Sequence, residues 1–259
     1  MVIRPALIVV DFQEDFCPPV GNPSRITSPR RHHKADVELQ NGSLAVPEGR
    51  DIAPVVNQLL SLPFVTKIAT KDWHPASHVS FAANHANKQP FTDYATVVNP
   101  ANPDERYETR LWPVHCVQST PGAELVPELE AGKIDEGAVV EKGQDPRVEM
   151  YSPFYDRFEH PRGCDSGLAK RLRDAQITDV YVVGLAADYC VRSCAEDAAK
   201  EGFRSFIVEE GTRPVDKDNW TQCRAELEKQ GVRVVTMQSD EMRSTDYPTY
   251  NPARNPANV

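Results

Sequence analysis

Positive charge is scarce in this sequence: 29 Lys and Arg stand against 38 Asp and Glu, a formal charge of −9 over 259 residues. Binding nucleic-acid phosphates needs Lys and Arg clustered on one face, so no nucleic-acid partner is expected. The one basic run, Arg30-Arg31-His32-His33-Lys34, sits among Pro and Ser and reads as a solvated stretch. A run of about 18 apolar residues, which a membrane-spanning helix needs, is also missing. The opening MVIRPALIVVDF is too short and too acidic for a signal peptide and reads better as a first strand. The six cysteines (Cys17, Cys116, Cys164, Cys190, Cys194, Cys223) include no CxxC pair and no small-scaffold spacing. Free thiols in a reducing cytosol are therefore expected rather than a disulfide framework. No GxGxxG or P-loop pattern announces a nucleotide cofactor, and the lack of GxSxG disfavours a serine hydrolase.

What the chain does have is alternation. An apolar fraction of 40% is enough for one sizeable core. Ala6 to Val10 is a short continuous apolar run, the pattern of a strand buried on both faces. Asp51 to Leu62 carries apolar residues at helical spacing, with Asp51 as the expected cap. Val65 to Thr70 and Gly137 to Glu141 read as strands, Ser166 to Ala175 as a helix, and Asp179 to Leu185 as the strongest strand. A helix from Cys190 should stop near Gly202. Phe203 to Val208, a helix over about Asn219 to Gln230, and Val232 to Thr236 complete the series. Strand then helix, repeated, predicts an α/β three-layer sandwich: a mostly parallel central sheet flanked by helices. Segments 20–41, 83–110 and 143–165 break the rhythm, and the latter two are long enough to be functional loops or lids. From about Ser244 the chain is rich in Pro, Asn and Thr without apolar period, so a single domain over 1–243 with a loosely held tail, 244–259, is expected.

In open α/β sheets ligands bind beyond the carboxyl ends of the strands. Asp11 follows the first strand, Asp72 and His74 the second, Lys142 the third, and Cys190 opens the helix after the fourth. Each alone is unremarkable as a turn residue, a surface charge or a small buried hydrophobe. Their convergence on one sheet edge points to catalysis. A thiol attacks as the thiolate, and a helix N-terminus and Lys142 would lower its pKa. Asp11 can take the thiol proton and return it to a leaving amine. The backbone N–H groups just before and at Cys190 are natural oxyanion donors. A second group, Asp72, His74, His78 and later His115, offers one carboxylate with two or three imidazoles. That set suits a divalent metal, with Zn²⁺, Fe²⁺ and Mn²⁺ all chemically compatible. His32, His33, His85 and His160 fit no pattern and read as ordinary surface.

The segments VVDFQEDFCPP, NGSLAVPEGRDI, KDWHPASHVSF, ETRLWPVHCVQSTPGAEL, KGQDPRVEMYSPF and VVGLAADYCVRSCAEDAAKEG, as an ordered set over most of residues 4–237, resemble the nicotinamidases of the isochorismatase-like cysteine hydrolase superfamily, in particular the fungal-type enzymes. The resemblance implies a catalytic triad of Asp11, Lys142 and Cys190, and metal ligands Asp72, His74 and His115. His78 matches a position that ligates in some members and only lies nearby in others. Phe16 and Trp112 match the aromatic walls of the family pocket, and Tyr189 is a further candidate wall. Oxyanion donors map to the main chain at Ala186 and Cys190, next to a cis peptide that sequence alone does not reveal.

The implied activity is hydrolysis of nicotinamide to nicotinate and ammonia in NAD salvage, assisted by a divalent metal, zinc first and iron or manganese after it. The implied partner is the small-molecule substrate, in the cytoplasm with the nucleus open to it too, and a homo-oligomer is compatible with the pattern. Two alternatives stay open: another amidase of the superfamily, of pyrazinamidase or ureido type, and a catalytically impaired isoform serving as a binding module. The metal set favours nicotinamide-like rings, since ureidoacrylate-type members lack it, and isochorismatases lack the nucleophilic Cys. One departure stands out. The family runs directly from Cys17-Pro18-Pro19 to Asn41-Gly42-Ser43, so residues 20–40 are additional: a surface insertion, or a retained intron close enough to Phe16 to disturb the pocket.

Overall fold

The computed structural model describes residues 3–19 and 42–243. The insertion at 20–40, the Arg30–Lys34 run with His32 and His33, and the tail at 244–259 lie outside the described residues. Eight strands and five helices follow in the order β1 (Pro5–Val10), α1 (Ala53–Leu60), β2 (Thr66–Asp72), β3 (Tyr94–Asn99), β4 (Asn102–Arg110), β5 (Val139–Lys142), α2 (Leu168–Asp174), β6 (Asp179–Leu185), α3 (Cys190–Lys200), β7 (Arg204–Arg213), α4 (Trp220–Lys229), β8 (Val232–Val235) and α5 (Asp240–Arg243) among the described residues.

Six strands form one sheet in the order β5-β2-β1-β6-β7-β8, every pair parallel. Every residue of β1 and of β6 is buried, as runs without polar alternation require in a sheet covered on both faces. Leu7 and Val9 of β1 pack with Val56, Leu59 and Leu60 of α1 on one face, where Met242 of α5 also sits. Ala6, Ile8 and Val10 pack with Leu168 and Leu172 of α2, Val191 and Ala195 of α3, and Leu227 of α4 on the other. The helices thus divide between the two faces, giving the three layers.

The chain starts at the sheet centre, runs outward through β2 and β5, and returns to β6 on the other side of β1. The topological switch point therefore lies between β1 and β6, where a ligand crevice is expected. Those strands approach closely there: a Cβ on Gly184 (φ +109) would lie 2.0 Å from Val10 O, so only glycine fits.

Three readings need correction. Asp51 is not a helix cap; it lies inside a 3₁₀ turn, Gly49–Ile52, that leads into α1 without a side-chain cap, with Pro54 in the first turn. The 83–110 segment is not all loop, because β3 and β4 pair there as an antiparallel hairpin. β7 continues beyond Val208 to Arg213 through a register shift, despite Glu209 and Glu210. The stop of α3 follows expectation: Gly202 N–H donates to Ala199 O and Phe203 N–H to Ala198 O, a Schellman closure with Gly202 left-handed.

Candidate active site

Lys142, the last residue of β5, extends its fully buried side chain beneath the switch point. Its ammonium lies 2.9 Å from Asp11 Oδ2, donates to Asp72 Oδ1, to Met150 O at 3.2 Å and to Cys190 Sγ at 3.5 Å. Asp11 holds a left-handed φ of 43° just beyond β1, an uncommon conformation for a non-glycine residue that turns the chain sharply at the strand end. Thr70 on β2 fixes its carboxylate, donating to Oδ1 at 2.5 Å, while the Asp11 N–H donates back to Thr70 Oγ1 at 3.1 Å. Asp11 Oδ2 has no well-aligned hydrogen-bond donor among the described residues, so the Lys142 contact is an ion pair by distance only. An Asp11 carboxylate oxygen and Cys190 Sγ lie within 4.8 Å of each other.

The electrostatics follow from burial. Burial pushes the Asp11 carboxyl up to about 6, with Lys142 opposing and Asp72 adding to the rise. Burial works against the Lys142 ammonium, yet Asp11 and Asp72 together hold its pKa well above the usual value. Burial also acts to raise Asp72, but Lys142 and His74 prevail and keep its carboxyl far below the ordinary carboxylate range. The Cys190 thiol departs from expectation: burial raises it well above its ordinary pKa, Lys142 opposes, and Asp11 and Asp72 add to the rise. The site therefore rests with a protonated thiol beside a carboxylate base, not with a free thiolate.

Asp72, the last residue of β2, and His74 leave that strand together, while His115 comes from the loop after β4. His74 Nε2 and His115 Nε2 lie 3.5 and 3.8 Å from Asp72 Oδ2. On their other nitrogens, His74 Nδ1 is 2.9 Å from Gly143 O and His115 Nδ1 is 2.8 Å from Pro113 O. A carbonyl only accepts, so each Nδ1 carries a hydrogen and each Nε2 is the nitrogen that faces Asp72, where the carboxylate raises the His74 pKa against burial. Gly143 (φ +69) is required for this approach, since a Cβ there would lie 2.3 Å from the His74 ring. Burial pushes His115 down to about 4, with His74 adding to the fall. His78 is placed otherwise. Its Nε2 donates to Val148 O at 3.1 Å, its Nδ1 pairs with Ser80 Oγ at 2.7 Å, and its ring stacks on His74 at 4.1 Å. Both of its nitrogens are therefore engaged in this structure, although His78 also falls with His74 and Glu149 in a group close enough to hold a metal ion. His85 is likewise occupied, 2.7 Å from Val79 O through Nε2.

A narrow cleft with about 30 Å³ of free volume opens above Cys190. Phe16, Trp112, Ala186 and Tyr189 line it together with Asp72 and His115, beside a cis peptide at Leu185–Ala186. A larger, polar cleft lies alongside, between α3 and the 151–162 segment. It is lined by neither Cys190 nor any of the charged site residues.

Residue-by-residue reasoning did not single out Tyr151, Leu44, Val46 and Val215, which also line the small cleft. Tyr151 accepts from Trp112 Nε1 at 2.9 Å and so holds the indole as a wall. Gln13 also escaped notice: buried, it donates to Asp72 O and accepts from Asp72 N–H, both at 2.8 Å, locking the ends of β1 and β2 together. Its place in VVDFQ, directly after a strand, was the available signal.

The isochorismatase domain model matches residues 5–239. A nicotinamidase of Acinetobacter baylyi is 36% identical over 217 residues, 84% of this chain and 85% of that protein. The solved yeast nicotinamidase bound to the inhibitor nicotinaldehyde superposes with a TM-score of 0.75 at 30% identity, covering 90% of this chain and 99% of that one. The Pyrococcus horikoshii pyrazinamidase in complex with zinc gives a TM-score of 0.60 at 30% identity, covering 90% and 99%. With a matched domain spanning nearly its whole length and relatives of this kind, the chain belongs to the isochorismatase family.

Proposed function

We propose that this protein is a nicotinamidase, a cysteine amidohydrolase that converts nicotinamide to nicotinate and ammonia in NAD salvage. The observation that carries the reading is the contact of buried Lys142 with Asp11, Asp72 and Cys190 at the floor of an aromatic cleft. It is supported by similarity to nicotinamidases over most of the chain. Phe16, Trp112, Tyr151 and Tyr189 hold a flat ring, and the carboxamide carbon faces Cys190 Sγ. Asp11 takes the thiol proton as sulfur attacks, with the main-chain N–H groups of Ala186 and Cys190 as oxyanion donors. Asp11 then returns the proton to the departing nitrogen, ammonia leaves, and a thioester on Cys190 remains. Water, deprotonated by Asp11, hydrolyses it. Lys142 keeps Asp11 and the sulfur within reach of each other throughout.

Asp72, His74 and His115 fit a divalent metal: two imidazole nitrogens and a carboxylate oxygen lie within 4.8 Å of one another, and Asp72 and His115 line the cleft. Bound there, the metal would supply a Lewis-acidic position for the ring nitrogen and order nearby water. Zinc is the expected ion, as in the Pyrococcus pyrazinamidase complex, with iron(II) and manganese(II) compatible with the same donors. His115→Ala should lower metal content measured by elemental analysis by at least about tenfold. Iodoacetamide labelling of Cys190 should stay within about threefold of wild type, since Asp11 and Lys142 are untouched. Full metal content in this variant would remove His115 from the ligand set.

Among the described residues no helix is long and apolar enough to cross a membrane, and we expect a cytoplasmic location.

The direct test is ammonia release from nicotinamide by the purified chain, with and without residues 20–40. Both forms should be active, because the segment's flanks already meet. Gly42 N–H donates to Cys17 O at 3.2 Å, Leu44 N–H to Asp15 O at 3.0 Å and Val46 N–H to Phe16 O at 2.9 Å. Joining Pro19 to Asn41 leaves three residues to span an existing hydrogen bond, the reach of a tight turn. Activity only after deletion would identify the full-length chain as the impaired isoform, and activity in neither form would overturn the assignment.

The acid limb of kcat/KM should also report Asp11. The carboxylate must be ionised to accept the thiol proton, so the rate should fall about tenfold per unit below a pH of about 6. A limb near pH 4 would mean that another group sets it.

A further inference from the structure

β6 and β7 pair as far as Leu185 and Arg213, and their association does not end with the ladder. Ala187 N–H donates to Arg213 O at 2.9 Å. The next residue, Asp188, accepts from two consecutive backbone N–H groups, Val215 to Oδ1 and Asp216 to Oδ2, both at 2.9 Å. Hydrogen bonds to an ionised carboxylate are roughly twice as strong as neutral ones, and two at once fix orientation as well as distance. Val215 lines the cleft above Cys190 together with Phe16, Trp112 and Tyr189. Val215 also packs against the core, and Asp216 Oδ1 accepts from the Asp218 and Asn219 N–H groups at 3.1 and 3.2 Å within the loop. Glu48 lies 2.7 Å from Lys217 and 3.6 Å from Arg213, but it is more than half exposed and screened by solvent.

We propose that Asp188, two residues before the nucleophile, is a positioning residue that fixes the Val215 wall and so sets the size of ring that reaches Cys190. It touches neither substrate nor thiol. The 186–189 turn, which carries an oxyanion donor and leads into Cys190, is pinned by the same carboxylate to the loop forming the wall. Cleft width and nucleophile placement are therefore coupled through one side chain. The assignment rests on the nicotinamidase reading for its substrate, but not for its geometry.

The test compares nicotinamide with 5-methylnicotinamide in wild type, Asp188→Ala, Asp188→Asn and Val215→Ala. One methyl group against a fixed wall is discriminated by about tenfold or more, so Asp188→Ala and Val215→Ala should each raise relative kcat/KM for the methylated amide by about that factor. The double variant should gain little beyond either single change, since both act on the same wall. Asp188→Asn keeps one acceptor and should fall between wild type and Asp188→Ala. In parallel, peptide mapping reads the labelling of Cys190 by N-ethylmaleimide relative to iodoacetamide. The bulkier reagent should gain in the same variants. Labelling needs no turnover, so it reports the wall even if wild type releases no ammonia from nicotinamide. Should Asp188→Ala slow both amides alike and leave the labelling ratio at its wild-type value, Asp188 is a structural tie only and the proposal is overturned.

Discussion

Cys190→Ala should reduce ammonia release by roughly 10⁴-fold or more while nicotinamide affinity changes by less than about threefold. The asymmetry follows from where the sulfur sits. Cys190 is the first residue of α3 and almost fully buried at the cleft floor, whereas the ring-holding side chains stand around the walls. Removing one sulfur atom leaves Asp11 and Lys142 paired at 2.9 Å, and Trp112 still held by the Tyr151 hydroxyl. Binding is read by calorimetry or by quenching of Trp112, and turnover by ammonia release. Without the sulfur no thioester forms, so a product trace on mixing should also be missing. Turnover within a few-fold of wild type would show that the nucleophile is another group. A large loss of affinity with stability unchanged would show that the thiol holds substrate rather than attacking it.

The site was more legible in the sequence than its electrostatics were. Asp11, Asp72, Lys142 and Cys190 stand at or just beyond the ends of apolar runs. In a parallel sheet every strand ends on the same edge, so listing the residues after each run gathers groups that are up to 179 positions apart. The thiol's protonation state was not legible. Counting nearby charges predicts a lowered pKa, but desolvation outweighs the single ammonium, and burial depth is a property of the assembled core. The hairpin was hidden for a related reason. The β4 sequence NPDERYETR is polar and all but one of its residues are exposed or half-buried, so its apolar period is too weak to separate it from a loop. The surroundings of His78 were hidden as well, since Ser80 and Val148 meet its two ring nitrogens and the Val148 contact crosses 70 residues of chain. Asp188 and Val215 lie 27 residues apart, and nothing local in either segment announces that one holds the other.

The largest combined effect on stability and chemistry is expected at Lys142. Lys142→Met keeps most of the side-chain volume and removes the charge that lies between Asp11 and Asp72. Both carboxylates are fully buried or nearly so, and breaking a buried ion pair from one side costs about 3–5 kcal/mol because the remaining charge is left uncompensated. The loss should depend on pH in a definite direction. In the wild-type protein the cation holds Asp72 far below its ordinary pKa, so its stabilising contribution is present above the unfolded value and is lost as pH falls through the folded one. In the variant both carboxyls rise and take up protons more readily on folding. The deficit relative to wild type should therefore be largest at pH 7–8 and shrink toward pH 5, read by urea denaturation at the two pH values. The thiol answers separately. Lys142 is the group that lowers the Cys190 pKa against burial, so the variant's thiolate fraction, and with it iodoacetamide labelling at neutral pH, should fall by about tenfold for each unit of pKa gained. A variant that is destabilised but labels at the wild-type rate would make Lys142 a structural counter-ion for Asp11 and Asp72, with no part in activating the sulfur. A variant of unchanged stability at both pH values would mean that the two carboxylates find their compensation elsewhere, and the network centred on the ammonium would have to be redrawn.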